Sequence, residues 1–284
     1  MFEISSTTRF VFLAALFSVG LILEHVRPLR IATQPKFTRV SRNLFIAAIS
    51  GVAMQFMFFP FVIWATDFSS THKLGLLNNI QLNWPLKFIV SILALDYTLY
   101  FWHKLNHKLP FLWRFHNVHH IDLDLDVSTA SRFHFGELIN STFFRILQIF
   151  IFGIDLPSLI LFEISVTAFA QFHHSNVCLP IGLERILNLI IVTPRMHGIH
   201  HSIIKDETDS SYGTIFTIWD RFHHSLRLGI KQNEISIGVP SYRTIRDQTI
   251  FHSLFMPFFR QRDWQLPNGK IPNREKALSR DLLP

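Results

Sequence analysis

The chain has 284 residues, 49% of them hydrophobic and 30 of them Phe, and its mean hydropathy is positive. Soluble domains carry fewer Phe and shorter uncharged runs, so the composition points to a membrane protein with several spans. The single cysteine, Cys178, excludes a disulfide framework and a self-contained cysteine-ligated iron–sulfur cluster. The net charge of +7 does not imply a nucleic-acid partner, because the basic residues flank apolar runs and form no aromatic-interleaved patch.

Residues 10–23 are an apolar run between Arg9 and Glu24. The following Glu24-His25-Val26-Arg27-Pro28 offers no small-residue cleavage site, so a retained anchor helix is expected in place of a signal peptide. Residues 44–65 carry no charge and can cross a bilayer, with Pro60 expected to kink the helix. A third span is expected at 84–102, with Lys87 snorkelling at one end. Residues 146–172 are apolar but interrupted by Asp155, a helix cap, and Pro157, an early-turn proline. They read as two short helices, each marginal for spanning, that enter the membrane and return. Beyond Pro180 the pattern is mixed and implies a cap of short helices. Residues 260–284 read as an irregular surface tail.

The expected fold is therefore all-α: an integral membrane helical bundle with a cytosolic histidine-rich di-metal cap. Its expected parts are N-terminal spans and loops at 1–83, a catalytic domain at 84–230 and a cytosolic tail at 231–284. Arg27, Arg30, Lys36, Arg39 and Arg42 lie between the first two spans without an acidic residue, which places that loop in the cytoplasm. The third span and the hairpin then deliver their histidines to the same cytoplasmic side.

Three histidine clusters carry the chemistry. They are His103 and His107 in HKLNH, His116, His119 and His120 in HNVHH, and His197, His200 and His201 in HGIHH. Spacings of three and four stack the rings on one helix face, and neutral imidazole is the commonest protein metal ligand. Three such clusters can surround two metal ions. Asp96, two helical turns before His103 on the same face, is the candidate catalytic carboxylate. A charge at membrane depth costs on the order of 2.5–3.5 kcal/mol, so Asp96 is expected to accept a hydrogen bond from a ligand imidazole or to brace the third span. Glu163 poses the same question, with an ion-paired structural role and headgroup recognition both open. Asp206, Asp209 and Asp220 are candidate acceptors for ligand N–H groups. His25, His72 and His252 are isolated and read as structural; His223 and His224 read as surface or substrate-channel residues.

In order along the chain stand Asp96, Trp102-His103, His107, Leu112-Trp113-Arg114 leading into HxxHH, and Arg132-Phe133-His134. His174-Ser175-Asn176 follows, then Thr193-Pro194-Arg195-Met196 leading into the second HxxHH, Tyr212-Gly213 and Trp219-Asp220. This ordered series resembles the fatty acid hydroxylase superfamily, which includes sterol desaturases, sterol methyl oxidases and alkylglycerol monooxygenase. The resemblance implies a non-haem di-iron oxidoreductase that uses O2 to hydroxylate or desaturate a lipid. It implies that the eight clustered histidines hold two Fe ions and that His134 and His174 are further ligands or their supports; of the neighbours His173 and His174, only His174 is expected to bind. Two departures stand out: Ser211 where the family often has Asn, and Arg221-Phe222-His223-His224 where it often has Phe-Gly-Thr.

The sequence carries no flavin or nicotinamide fingerprint. A separate electron-transfer protein is therefore expected to dock at the face bearing Lys104, Lys108, Arg114 and Arg195, with the substrate lipid entering from the bilayer. The rival reading is a membrane metal-binding or transport protein without oxygenase activity, which would place its ligands near the bilayer midplane.

Overall fold

The computed structural model describes residues 5–274; the last ten residues of the expected tail lie outside the described residues. Ser5 caps the first helix, α1 (Ser6–Val26), by accepting from the backbone N–H of Thr8 at 3.0 Å. Most of the α1 surface stays uncovered: Phe10, Val19 and Ile22 are 73%, 51% and 62% exposed. A helix apolar on its free faces belongs in hydrocarbon.

α2 (Lys36–Ala53) continues through a π-helical turn at Met54–Phe58 into α3 (Phe59–Thr71). Pro60 has no N–H for the carbonyl four residues back, and the expected distortion takes the form of this π turn just before it. α4 (Trp84–Lys108) starts at Asn83, whose Oδ1 accepts from Leu86 N at 3.0 Å. Leu109 and the first-turn Pro110 separate it from α5 (Pro110–His120). α6 (Phe135–Phe152) and α7 (Leu156–His174) follow. Five helical stretches, namely α1, α2–α3, α4, α6 and α7, are long and apolar enough to cross a membrane.

The hairpin departs from expectation in one respect. α6 begins at Phe135, so it has 18 residues and α7 has 19, enough for each to cross. Three of the polar residues that hid its first half find partners. Ser141 accepts from Trp102 Nε1 at 3.1 Å, Thr142 donates to the Leu138 carbonyl at 2.8 Å, and Arg145 pairs with Glu163 at 2.8 Å. The turn between α6 and α7 is built on Gly153, at φ +69°. It approaches Gly75 so closely that a Cβ there would lie 2.1 Å from the Gly153 nitrogen. Asp155 caps α7 by accepting from Ser158 N at 2.8 Å.

A cap of short helices covers one end: α8 (Ile181–Leu187), α9 (Pro194–His200), α10 (Lys205–Thr208), α11 (Ile218–Phe222) and α12 (Ile250–Phe255). The first half of α2 belongs to this cap. Arg39 is 2% exposed and donates to Asp122 at 3.1 Å and to Asp126, while Asn43 donates to Asp122 at 2.9 Å. Arg30 is buried too, donating to Gln232 Oε1 at 3.0 Å and to the Pro194 carbonyl at 3.3 Å. Two of the five cations that suggested a cytoplasmic loop are therefore internal structural charges. Removing Arg39 alone would strand buried carboxylates, a loss of about 3–5 kcal/mol.

Candidate metal centre

α4 and α7 end where α5 and α9 begin to pack on them, and this junction gathers the histidines. Two adjoining groups result. His103, His107, His116, His120 and His200 form one, and His119, His174, His197 and His201 the other; in each, the ligand-type nitrogens lie within 4.8 Å of one another. Each HxxHH motif splits between the groups because adjacent helical residues point about 100° apart. Thus His119 and His120 face different groups, and so do His200 and His201.

Nitrogen tautomers are set from outside the site. His103 Nδ1 donates to the Tyr212 carbonyl at 2.9 Å, His174 Nδ1 to the Ala170 carbonyl at 2.8 Å and His200 Nδ1 to the Ser210 carbonyl at 2.7 Å. A carbonyl only accepts, so in these three rings the Nε2 lone pair is left facing inward. His116 Nδ1 meets Glu137 Oε1 at 2.8 Å. The Nε2 atoms then crowd together: His116–His120 at 3.2 Å, His119–His174 at 3.0 Å, His174–His197 at 2.9 Å and His197–His201 at 3.1 Å. Bonds of about 2.1 Å to a divalent ion place right-angled ligands about 3.0 Å apart. The spacing therefore fits shared cations, whereas a row of lone pairs facing one another does not satisfy itself.

Burial, with the neighbouring imidazoles adding to it, drives His119, His120, His197 and His201 well below the usual histidine range, and His200 down to about 3. These rings are neutral at physiological pH, the form that binds metal.

Several expected residues sit elsewhere. His134 is not in either group: its Nδ1 accepts from Gly136 N at 2.9 Å as the cap of α6, and its Nε2 bonds the Leu254 carbonyl at 3.0 Å. With both nitrogens engaged, it is a structural residue and the ligand expectation for it is corrected. Asp96 touches no ligand ring. It is 1% exposed and accepts from Trp219 Nε1 at 2.7 Å, Phe216 N at 3.2 Å and Ile215 N at 3.3 Å. It braces the loop that brings the Tyr212 carbonyl to His103, so it acts through position, and the expectation of a catalytic carboxylate is corrected. Asp220 shares this work, accepting from Tyr212 N at 2.8 Å and Gly213 N at 2.7 Å. Asp209 stands 3.6 Å from His107 Nδ1 and pairs with Lys108 at 2.7 Å. No ring contact to Asp206 is made among the described residues; its carbonyl accepts from Arg227 at 3.1 Å.

His173 is buried beside His197 but outside the group of four, which takes His174. His223 stacks on Tyr100, with centroids 5.1 Å apart, and bonds the Tyr97 hydroxyl at 3.2 Å. His72 stacks on Phe68. Ser211 has φ +54°, a conformation Asn adopts more readily than Ser, which accounts for the Asn frequent at this place in the resembling family. Glu137 was missed by sequence reading. Its one signal is a place three residues after His134, in the first turn of the helix that His134 caps.

The model of the fatty acid hydroxylase family matches residues 88–225, which hold all nine grouped histidines. Among curated relatives, the ornithine lipid hydroxylase OlsE of Rhizobium tropici is 32% identical over 159 residues, covering 55% of this chain and 47% of that protein. Human alkylglycerol monooxygenase is 30% identical over 182 residues, covering 62% of this chain and 39% of its own. Rat cholesterol 25-hydroxylase is 24% identical over 167 residues, covering 58% and 54%. The matches thus span about half the length of these relatives or less. No solved structure matches. Residues 88–225, with both HxxHH motifs and the HxxxH before them in register, match the fatty acid hydroxylase family.

Proposed function

We propose that this chain is a membrane-bound di-iron oxidoreductase that uses O2 to hydroxylate a lipid, with desaturation as the close chemical alternative. The observation that carries the reading is the pair of adjoining histidine groups, five and four rings, with inward nitrogens at metal-ligand spacing. The hydroxylase and monooxygenase relatives support the reaction class. In this reading His103, His107, His116, His120 and His200 hold one iron and His119, His174, His197 and His201 the other. A bound iron pair supplies the redox chemistry by which O2 attacks an unactivated C–H bond. The chain's own groups keep the site dry and fix the imidazole tautomers through Glu137 and the three carbonyls. Neutral ligands leave the metal pair strongly cationic. A transporter fits less well, because the groups lie at the ends of α4 and α7 and not at their middles.

The site faces the cytoplasm in this proposal, and a separate one-electron carrier docks over it. Of the four cations expected on that face, Lys108 is exposed and pairs with Asp209, while Lys104, Arg114 and Arg195 are half-buried.

The test uses purified protein reconstituted with Fe2+. Wild type should hold two irons and oxidise lipid, while His119→Ala should empty the group of four and His200→Ala weaken the group of five. Both variants should insert in the membrane and lose product formation. Full iron loading with both residues removed overturns the reading. Zinc in a preparation decides nothing, since nitrogen sites favour Zn2+ over Fe2+.

A further inference from the structure

A cleft of about 620 Å³ opens in the membrane region between α1, the π turn with the start of α3, and α7. Leu13, Phe58, Val62, Leu159, Ile160 and Ile164 make its walls apolar. Glu163 is set among them as a carboxylate with 33% of its side chain exposed. We propose that this cleft binds the lipid substrate and that Glu163 accepts a hydrogen bond from its hydroxyl group, leaving the carbon to be oxidised about 16 Å away at the histidines. This rests on the lipid-oxidising function proposed above and adds the site and the chemical class of the substrate.

The position follows from the helices. α1 and α7 run in the same direction, because Glu24 near the end of α1 accepts from Asn176 N at 2.9 Å, just past the end of α7. The cleft therefore extends from Ser6 and Arg9, at the end remote from the histidines, to Met54 and Thr167 on the nearer side. Glu163 and His174 are both on α7, eleven residues apart. A rise of 1.5 Å per residue makes that about 16 Å along the axis. The π turn is itself part of the wall, and such turns recur at functional sites.

The chemistry follows from the charges. Arg145, 9% exposed, pairs with one Glu163 oxygen at 2.8 Å and donates to Gln148 Oε1 at 2.5 Å; Gln148 in turn donates to Thr98. The cation is thus anchored on the side away from the cleft. Oε1, the oxygen facing Arg145, receives no hydrogen bond of proper geometry, and no partner meets Oε2 among the described residues. An unpaired acceptor at membrane depth is costly, so an intramembrane carboxylate of this kind marks a site. The Arg145–Glu163 pair is already neutral and the Arg9 cation lies at the far end of the cleft, so the guest that fits at Glu163 brings a donor without a charge there. A hydroxyl group does this. An ammonium group would carry an unbalanced charge into hydrocarbon.

The test is photo-cross-linking of the iron-loaded protein in lipid nanodiscs without O2. The probes are a long-chain primary alcohol with a diazirine beside the hydroxyl, its methyl ether, and the corresponding ammonium lipid. The alcohol should label the α7 peptide around Ile160 and Ile164, and the ether, lacking the donor, about tenfold less. An Arg145→Met/Glu163→Leu variant, which removes both charges together, should lower alcohol labelling to the level of the ether while keeping iron content and melting temperature. Equal labelling by alcohol and ether, labelling outside the cleft, or preference for the ammonium lipid overturns the proposal. The alcohol–ether comparison needs no variant and no turnover. Protein that oxidises lipid yet labels without regard to the donor refutes the cleft alone. Donor-dependent labelling in protein that oxidises no lipid refutes the oxygenase reading alone.

Discussion

Glu137 offers the cleanest separation of the two histidine groups. Its carboxylate lies 2.8 Å from His116 Nδ1, with side chains 6% and 4% exposed. Three other ligand-type rings are oriented by backbone carbonyls, which no substitution removes, so this is the orienting contact open to mutation. A hydrogen bond to a charged acceptor in such surroundings contributes about 1.5–3 kcal/mol. Each 1.4 kcal/mol is a factor of ten in affinity, and orienting partners of metal-bound histidines are typically worth about 10–100-fold. Glu137→Gln keeps an oxygen acceptor but loses the charge, and should weaken the group of five about tenfold. Glu137→Ala frees the ring and should weaken it about 100-fold. The assay is a chelator competition on metal-free protein titrated with Co2+, whose absorption reports occupancy of nitrogen sites. The group of four has no contact with Glu137 and should bind as in wild type. Unchanged affinity in Glu137→Ala, or equal loss at both groups, would refute the reasoning.

Asp96→Asn places an amide among three donors and can accept from only some of them, so the 212–220 loop should loosen by about 2–3 kcal/mol. Melting temperature and Trp219 emission should both change, and an unaltered melting curve defeats the bracing role. Buried histidines held neutral imply an acid-labile fold. The unfolded chain takes up protons below about 6.5 that His200, at about 3, refuses; its stabilisation is complete above the unfolded value and falls by up to about 1.4 kcal/mol per pH unit between the two. Thermal melts of metal-free protein should therefore drop as pH falls through this window, with a shallower slope in His200→Gln; an identical slope counts against it. Ser211→Val puts a β-branched residue at φ +54° and should cost about 1–3 kcal/mol, whereas Ser211→Asn should be tolerated, as equilibrium unfolding in detergent would reveal.

The legible parts of this molecule are those set by local pattern. Helical spacing placed the i,i+4 imidazole pairs on common faces, and the apolar runs located α1, α3, α4 and α7. Asp155 and Pro157 marked the start of α7 two residues apart. What local pattern did not reveal was set by partners distant in sequence. The first half of α6 looked too polar for a span because Arg145 meets Glu163, a residue on the next helix. His134 looked like a ligand because nothing in its vicinity discloses the Leu254 carbonyl, 120 residues away. Asp96 sat on the right helical face at the right spacing, yet its three donors all come from 215–219. Basic residues before the second span looked uniform in sequence. Only packing separates the buried Arg30 and Arg39 from the exposed Arg27 and the half-buried Lys36 and Arg42.

The carboxylates of Asp122 and Asp126 lie inside the segment shared with the family, but the guanidinium that balances them, on Arg39, lies outside it. Arg132 likewise reaches out of the segment on both sides, to Asn43 at 2.8 Å and Ser253 at 2.8 Å. The histidine-bearing segment is consequently a guest in a shell partly supplied by its flanks. Transplanting it between relatives would carry the ligands across and leave their counter-charges behind. A chimera that works must move the first turns of α2 and the α12 region along with it.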